Sequence, residues 1–461
     1  LYSSAASDVY KRQDITPCKR VSLQGQNYER ISEGVHDPIY ATALALQKGN
    51  VQVIMVACDL IVIRRPLLLK VRELVATKQI EISPESILIN SIHTHTAPYY
   101  SDCDMKPEFD ECNWHEWEKV PENDFCSPTA YFDFLAEKLA DAVCSAWLLR
   151  KPAKIGTALG HAAIGYCRRV LYKNGSAAMY GRTDTDGFDK IEAGCDHGVE
   201  LMYFFNAEDN LTGVIVNVAC PSQVVELKKL ISADYIGAAR RKIKERLGKN
   251  VFVLPQISAA GDQSPRDLIR RKNESAMFEF EGVEELGDRL ADAVCREYKC
   301  LRNIQKSPVL KHTVKNIDLP IRRVSEAEIE WATKRREEIN GESDPPLFDI
   351  LNSESILERA KMQETVSAFD MEMHVIRLGD AVFASNSFEL FIEYGQRIKA
   401  RSKADQTFLI QLCGADGVYL PTESAIKVGS YGAAVFSGTV GYEGGNMLVE
   451  ETVTEINSLW E

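Results

Sequence analysis

The chain is poor in the features that mark specialised protein classes. None of its 461 residues falls in an apolar run long enough to span a bilayer. The longest such run, Val51–Ile63, is broken by Gln52, Cys58 and Asp59. No basic block offsets a formal net charge of −13, which argues against nucleic acid as the main partner. The twelve cysteines form no CxxC pair and no small-domain spacing. Cys58, Cys144 and Cys295 sit among apolar neighbours, as reduced, buried thiols do in a cytoplasmic protein. No internal repeat and no secretory signal is visible. Residues 1–13 continue neither a helical nor a strand pattern and read as a non-native scar, outside a single large domain over 14–461.

What the chain does have is a hydrophobic fraction of 45% and a charged fraction of 26%, enough for an ample core. Val51–Ile63 reads as a buried strand, Pro66–Ala76 has helical spacing, and Ile87–Ile89 opens a second buried strand. Strand, helix, strand is the rhythm of an α/β fold, here expected as mixed sheets flanked by helices. Further expected strands lie at 199–205, 211–219, 251–254, 372–378, 381–385 and 408–412, with helices at 131–149, 235–247, 278–298 and from 389 to 401. Two segments stand apart. The acidic, aromatic stretch 99–128 could line or cover a site as a lid. The stretch 324–365, opened by a capping box at Ser325–Glu328, reads as a helical insertion. The chain then closes in a Gly-rich tail.

Chemistry-bearing residues gather at the polar ends of these strands. His93 and His95 share one face of extended chain at the end of the strand from Ile87. Cys220 follows another strand, and Asp262 and Ser264 lie in a small-residue loop after a third. Glu389 and Tyr419 follow two more. Ligands converging from several strand ends, with one position left open, are what a metal hydrolase requires.

The order of these motifs resembles the catalytic domain of the neutral/alkaline, non-lysosomal ceramidases, in a bacterial-type form without their C-terminal immunoglobulin-like domain. His93-Thr-His-Thr-Ala-Pro98 resembles their His-Thr-His-Ser-Gly-Pro motif, and Gly261-Asp-Gln-Ser-Pro-Arg266 their Gly-Asp-x-Ser-Pro hexapeptide. Ala233-Asp-Tyr-Ile-Gly237, Phe388-Glu389, Val418-Tyr-Leu-Pro-Thr422 and Tyr442-Glu-Gly444 match further segments in register. The resemblance implies a hydrolase of linear amides, of the kind that acts in sphingolipid metabolism, with one Zn²⁺ per chain. Its ligands would be His93, Cys220, Glu389 and Tyr419. Cys220 stands where the family has a histidine, and His95 or His197 are alternatives for that place. Attack would come from Ser264 or from a water the metal activates, with His95 shuttling protons. Arg168 (Arg169 in a rival alignment) and Tyr442 would steady the oxyanion, and Asp262 would orient the loop. The expected partner is a small or lipid-like amide, and a homo-oligomer is compatible with the sequence. Competing readings are a metal-dependent esterase, a glycosidase using Asp262 with Glu389, and an inactive homologue that binds a small molecule.

Overall fold

The computed structural model describes residues 2–3, 12–102, 120–270, 277–342 and 345–461. Much of the expected lid at 99–128, and most of the expected scar at 1–13, therefore lie outside the described residues. Residues Arg12–Asp14 are within them, and pair with Tyr40–Thr42.

The principal elements, in chain order, are strands β1 (Tyr40–Lys48) and β2 (Val51–Cys58), helix α1 (Arg65–Thr77), β3 (Ile87–Ser91) and α2 (Pro128–Leu148). Next come β4 (Lys154–His161), β5 (Gly198–Phe205), β6 (Leu211–Val218), α3 (Asp234–Leu247), β7 (Phe252–Ile257) and α4 (Phe280–Cys300). The last third holds β8 (Leu310–Pro320), α5 (Glu326–Ile339), α6 (Leu347–Met362), β9 (Ala368–Leu378), β10 (Ala381–Ser385), α7 (Ile392–Arg401), β11 (Gln406–Ile410) and α8 (Tyr442–Ser458).

One arrangement occurs three times. An antiparallel hairpin is followed by a helix and then by a strand lying parallel to the hairpin's second strand. It is built by β1-β2-α1-β3, by β5-β6-α3-β7 and by β9-β10-α7-β11. Two of the hairpins turn over only two residues, Gly49-Asn50 and Gly379-Asp380, where the glycines take φ of +58° and +64°. Such turns need a residue in the left-handed region to match the twist of the strands.

The three sheets share a core. Met55 and Leu88 of the first, Met202, Ile215 and Leu254 of the second, and Phe383, Phe408 and Ile410 of the third belong to a single buried cluster. The helices cover the outer faces, where Leu67, Val71, Leu135 and Val143 bury one side of α1 and α2. These strands are buried on both faces, which explains why they read as continuous apolar runs rather than alternating ones.

The chain does not end in a Gly-rich tail, because Tyr442–Ser458 forms α8. Its glycines permit the packing. A Cβ on Gly445 would sit 2.9 Å from Cε1 of Tyr394 in α7, and one on Gly444 would collide with Val440. Without those side chains the helix seats against α7 and β8, and the close approach outweighs the helix-breaking tendency of glycine. Between β8 and β9, α5 and α6 form the expected helical insertion, and the capping box at Ser325 is present in full.

Candidate active site at the strand exits

Each of the three units has two parallel strands, and all six run out toward one place. The β2 exit supplies the carbonyl of Ile61, and the β3 exit supplies His93 and His95. The β6 exit carries Cys220, Gln223 and Glu226, and the β7 exit carries Gly261–Ser264. From the third unit come Glu389, after β10, and Tyr419, after β11. The carboxyl ends of parallel strands are where open α/β sheets place their sites. Glu389 and Tyr419 meet through a two-residue parallel pairing in which they stand opposite one another.

The backbone is bent to achieve this. His93 itself has φ of +60°, and Val418, just before Tyr419, has φ of +53°. Left-handed conformations at residues other than glycine cost of order 1–3 kcal/mol each and survive where the surroundings fix them. Here His93 Nδ1–H donates to Ile61 O at 2.8 Å, and Glu389 N–H donates to Val418 O at 2.8 Å.

At the centre His93 Nε2 lies 3.2 Å from Glu389 Oε2 and 3.2 Å from His95 Nε2. Arg168, from the chain after β4, enters from the other side. Its Nη2 donates to Tyr419 Oη at 3.0 Å and to Gly261 O at 2.8 Å, and lies 3.9 Å from Glu389 Oε2. All five residues are buried. Burial alone would lower the pKa of His93, but Glu389 outweighs it and the net shift is upward. The same pair, with Arg168, holds Glu389 below the usual carboxylate range despite burial. Burial, followed by the positive charge of His93 and Arg30, drives His95 well down, toward neutral imidazole. Burial also drives the Tyr419 phenol up.

A cavity of about 410 Å³ opens on this cluster, walled by His95, Arg168, Gln223, Glu226, Tyr180, Tyr419 and Tyr431, with Phe348 of α6 at its edge. The helical insertion therefore contributes directly to the site.

The donor set can be tested against zinc. Bonds of about 2.0–2.1 Å at tetrahedral angles put two donors about 3.3 Å apart, close to the His93–Glu389 spacing. The bond from His93 Nδ1–H to a carbonyl leaves Nε2 as the coordinating lone pair, the usual outer-shell arrangement. Tyr419 shares a hydrogen bond with Glu389, which brings its phenol to the same point. Among the described residues no three His, Cys, Asp or Glu side chains form a metal cluster, and the third donor here is that phenol. His93, Glu389 and Tyr419 fit an open, three-ligand site.

Other residues expected at the site lie elsewhere. The Cys220 thiol donates to Ile164 O at 3.1 Å and to Pro221 O at 3.5 Å, and burial pushes its pKa well up. These contacts turn the sulfur to the carbonyls of its own neighbourhood rather than to His93 and Glu389. A cysteine is also too short to reach where a histidine would. His197 bonds to Gly165 O and packs on Tyr166. Arg169 pairs with Glu192 and holds the carbonyls of Gly429 and Tyr431, which leaves Arg168 as the arginine of the site. Asp262 Oδ1 accepts from the Ile392 N–H at the start of α7, so it caps a helix rather than facing Glu389 across a cavity. Ser264 is buried opposite Tyr166, and its Oγ accepts from the Arg266 N–H at 3.3 Å. Tyr442 lies at the first turn of α8 beside Glu443, while Tyr180 and Tyr431 occupy the cavity wall.

No protein-family model matches the chain, and no curated protein matches it significantly. Solved structures do. The neutral ceramidase from Pseudomonas aeruginosa superposes with a TM-score of 0.69 at 16% identity, over 96% of this chain and 72% of that one. A ceramidase complexed with C2 gives 0.68 at 14% identity, over 96% and 73%. The chain has the neutral ceramidase fold.

Proposed function

We propose that this chain, built on the neutral ceramidase fold, is a zinc-dependent hydrolase that cleaves an N-acyl amide bond. The observation that carries the reading is the convergence of His93, His95, Arg168, Glu389 and Tyr419, of which His95, Arg168 and Tyr419 line one cavity. His93, Glu389 and Tyr419 would hold the ion, which when bound acts as a Lewis acid toward an amide carbonyl.

The remaining steps belong to the protein. Arg168, donor-only and always charged, sits beside the Tyr419 hydroxyl and would face the negative charge that develops on the carbonyl oxygen. His95, held neutral, would take a proton from an attacking water and pass it to the leaving amine. Ser264 is buried opposite Tyr166 and its hydroxyl accepts from the Arg266 N–H, which favours water over the serine as nucleophile. The cavity suits a compact amide better than one with two long alkyl chains. With Asp262 engaged as a helix cap, the glycosidase reading loses one of its two carboxylates.

The test is metal content of the purified protein beside acyl release from a panel of amides, esters and glycosides. One zinc per chain with amide cleavage, both abolished in His93→Ala, supports the reading. A fully active His93→Ala protein refutes the site.

A further inference from the structure

Two parts of the cavity wall differ in chemistry. Tyr419, Tyr431 and Phe348 make one part aromatic, in a chain of rings completed by Phe436 with centroids 5.6, 5.9 and 5.4 Å apart. The part built around His95 is polar. A Cβ on Gly25 would lie 2.7 Å from His95 Cγ, so the 25–27 loop lies against the imidazole. The Gly25 φ of +113°, which glycine adopts readily, permits that approach. Glu226 flanks the same ring, with Oε2 3.7 Å from Nδ1. Gln26 Nε2 donates to Glu226 O at 3.3 Å and ties the loop to it.

This polar part has hydrogen-bonding capacity to spare. Glu226 Oε1 accepts from Arg266 Nη2 at 2.6 Å, whereas Oε2 has no donor within bonding distance among the described residues. The Asn27 amide, exposed on the cavity wall, makes no hydrogen bond among them either. A carboxylate oxygen only accepts, so a ligand must donate to it. An amide donates and accepts, as a hydroxyl does. Arg266 and Arg30, whose Nη1 donates to Glu226 O at 2.6 Å, already balance the Glu226 charge. A ligand ammonium would therefore meet two guanidiniums, and a ligand carboxylate would meet Glu226 itself. A neutral hydroxyl suits both groups. An alkyl chain would strip water from them and return no hydrogen bond.

We propose that the amine half of the substrate is a polyhydroxylated carbon skeleton, an amino sugar or an open-chain amino polyol, whose hydroxyls are read by Glu226 and Asn27. The orientation rests on the hydrolase reading, in which His95 serves the leaving amine, so that the amine half lies on the side of the 25–27 loop and Glu226. The aromatic part of the wall then takes a short acyl group. Hydrolysis breaks the C–N bond. The oxygen of water goes to the acyl carbon and a proton goes to the nitrogen, which releases a short carboxylate and the amino polyol.

The experiment offers the full chain four acetamides: N-acetylglucosamine, its reduced open-chain form, N-acetylcyclohexylamine and N-acetylsphingosine. The first two separate the ring from the open chain, the third keeps a ring without hydroxyls, and the fourth adds a long alkyl chain. The better of the hydroxylated pair should exceed the other two by at least about 10-fold in kcat/KM. A smaller preference, or one for N-acetylcyclohexylamine or N-acetylsphingosine, overturns the proposal. The preference over N-acetylcyclohexylamine should fall at least fivefold in both Asn27→Ala and Glu226→Gln. Asn27 lies on an exposed loop, so its variant carries the test if Glu226→Gln does not fold. A preference that survives in either folded variant overturns the assignment. A parent that cleaves no amide refutes the hydrolase reading instead, and calorimetric binding of the same four compounds then decides the substrate class. Binding of a hydroxylated acetamide at least 10-fold tighter than that of the other two supports the polar subsite, and a smaller or reversed difference overturns it.

Discussion

Replacing Gly261 with alanine should separate the β7 exit from the Glu389 strand. The Gly261 N–H donates to Leu390 O at 2.8 Å, so two backbones of different units lie edge to edge at this point. A Cβ added to Gly261 would collide with Glu389 O and come within 2.6 Å of its carbonyl carbon. Ordinary contact between carbons begins near 3.5 Å, so one backbone must move by about 1 Å. Neither is a flexible side chain tip that can swing aside. Overpacking of this kind costs about 1–3 kcal/mol. A displacement of about 1 Å at a catalytic group can cost about 100-fold in rate. Gly187→Ala is the control, since a Cβ there meets nothing closer than 3.9 Å. Urea denaturation and kcat on the best amide substrate should show both losses for Gly261→Ala and neither for Gly187→Ala. A Gly261→Ala protein with parental midpoint and kcat would show that the Glu389 strand is not held where described.

Further outcomes follow from other contacts. Glu372 accepts from Arg72 at 2.6 Å and 3.0 Å and lies 2.9 Å from His374 Nε2. Burial would raise its pKa, but His374 and Arg72 pull it down to about 2. Because the folded value lies below the unfolded one, its stabilisation is full above about pH 4.5 and fades as pH falls toward 2. Glu372→Gln should therefore cost up to about 3 kcal/mol at pH 7, with the gap to the parent narrowing in urea titrations at pH 4 and pH 3. Asp59→Asn should cost about 3–5 kcal/mol at pH 7, because it leaves the buried Arg240 guanidinium, now bonded at 2.6 and 2.8 Å, without its countercharge. Cys220→Ser should keep the parent's zinc stoichiometry by elemental mass spectrometry, and loss of the metal would return the sulfur to the ligand set. Ser264→Ala should keep kcat within about 10-fold of the parent, whereas loss of an activated nucleophile should cost far more, on the order of the 10⁶-fold seen in serine hydrolases.

Much of the site was legible because it sits where sequence pattern is strongest. His93, Glu389 and Tyr419 each follow a buried apolar run, and a polar residue just past such a run is easily seen. Arg168 could be found only as one of two neighbours. Its separation from Arg169 depends on which face of the bent chain after β4 turns inward, and that has no signature in one sequence. Tyr442 is expected at the site because a motif flanks it, but the motif marks the packing of glycines in α8 against α7. Gln223 follows the β6 exit, and a lone amide there has no signature in one sequence that marks it as part of the cavity wall. Tyr180 needs φ of +55° to face the cavity, a conformation no residue type there announces. Among the strands, β8 is not one that the sequence pattern predicts. Its Lys-His-Thr-Val-Lys-Asn stretch is half-exposed and pairs along its whole length only because β9 lies beside it.

The threefold recurrence of the hairpin-helix-strand unit has a mechanical consequence. The cluster at the strand exits is owned by none of the three units, since the first gives His93, the second Gln223 and Gly261, and the third Glu389 and Tyr419. It exists only while all three stay docked through their common core. Partial denaturation should thus silence the protein before it unravels. Under mild urea, turnover should disappear while far-ultraviolet dichroism and amide protection inside the individual hairpins persist. The site would act as a sensor of inter-unit docking, with a midpoint set by the weakest of the three junctions.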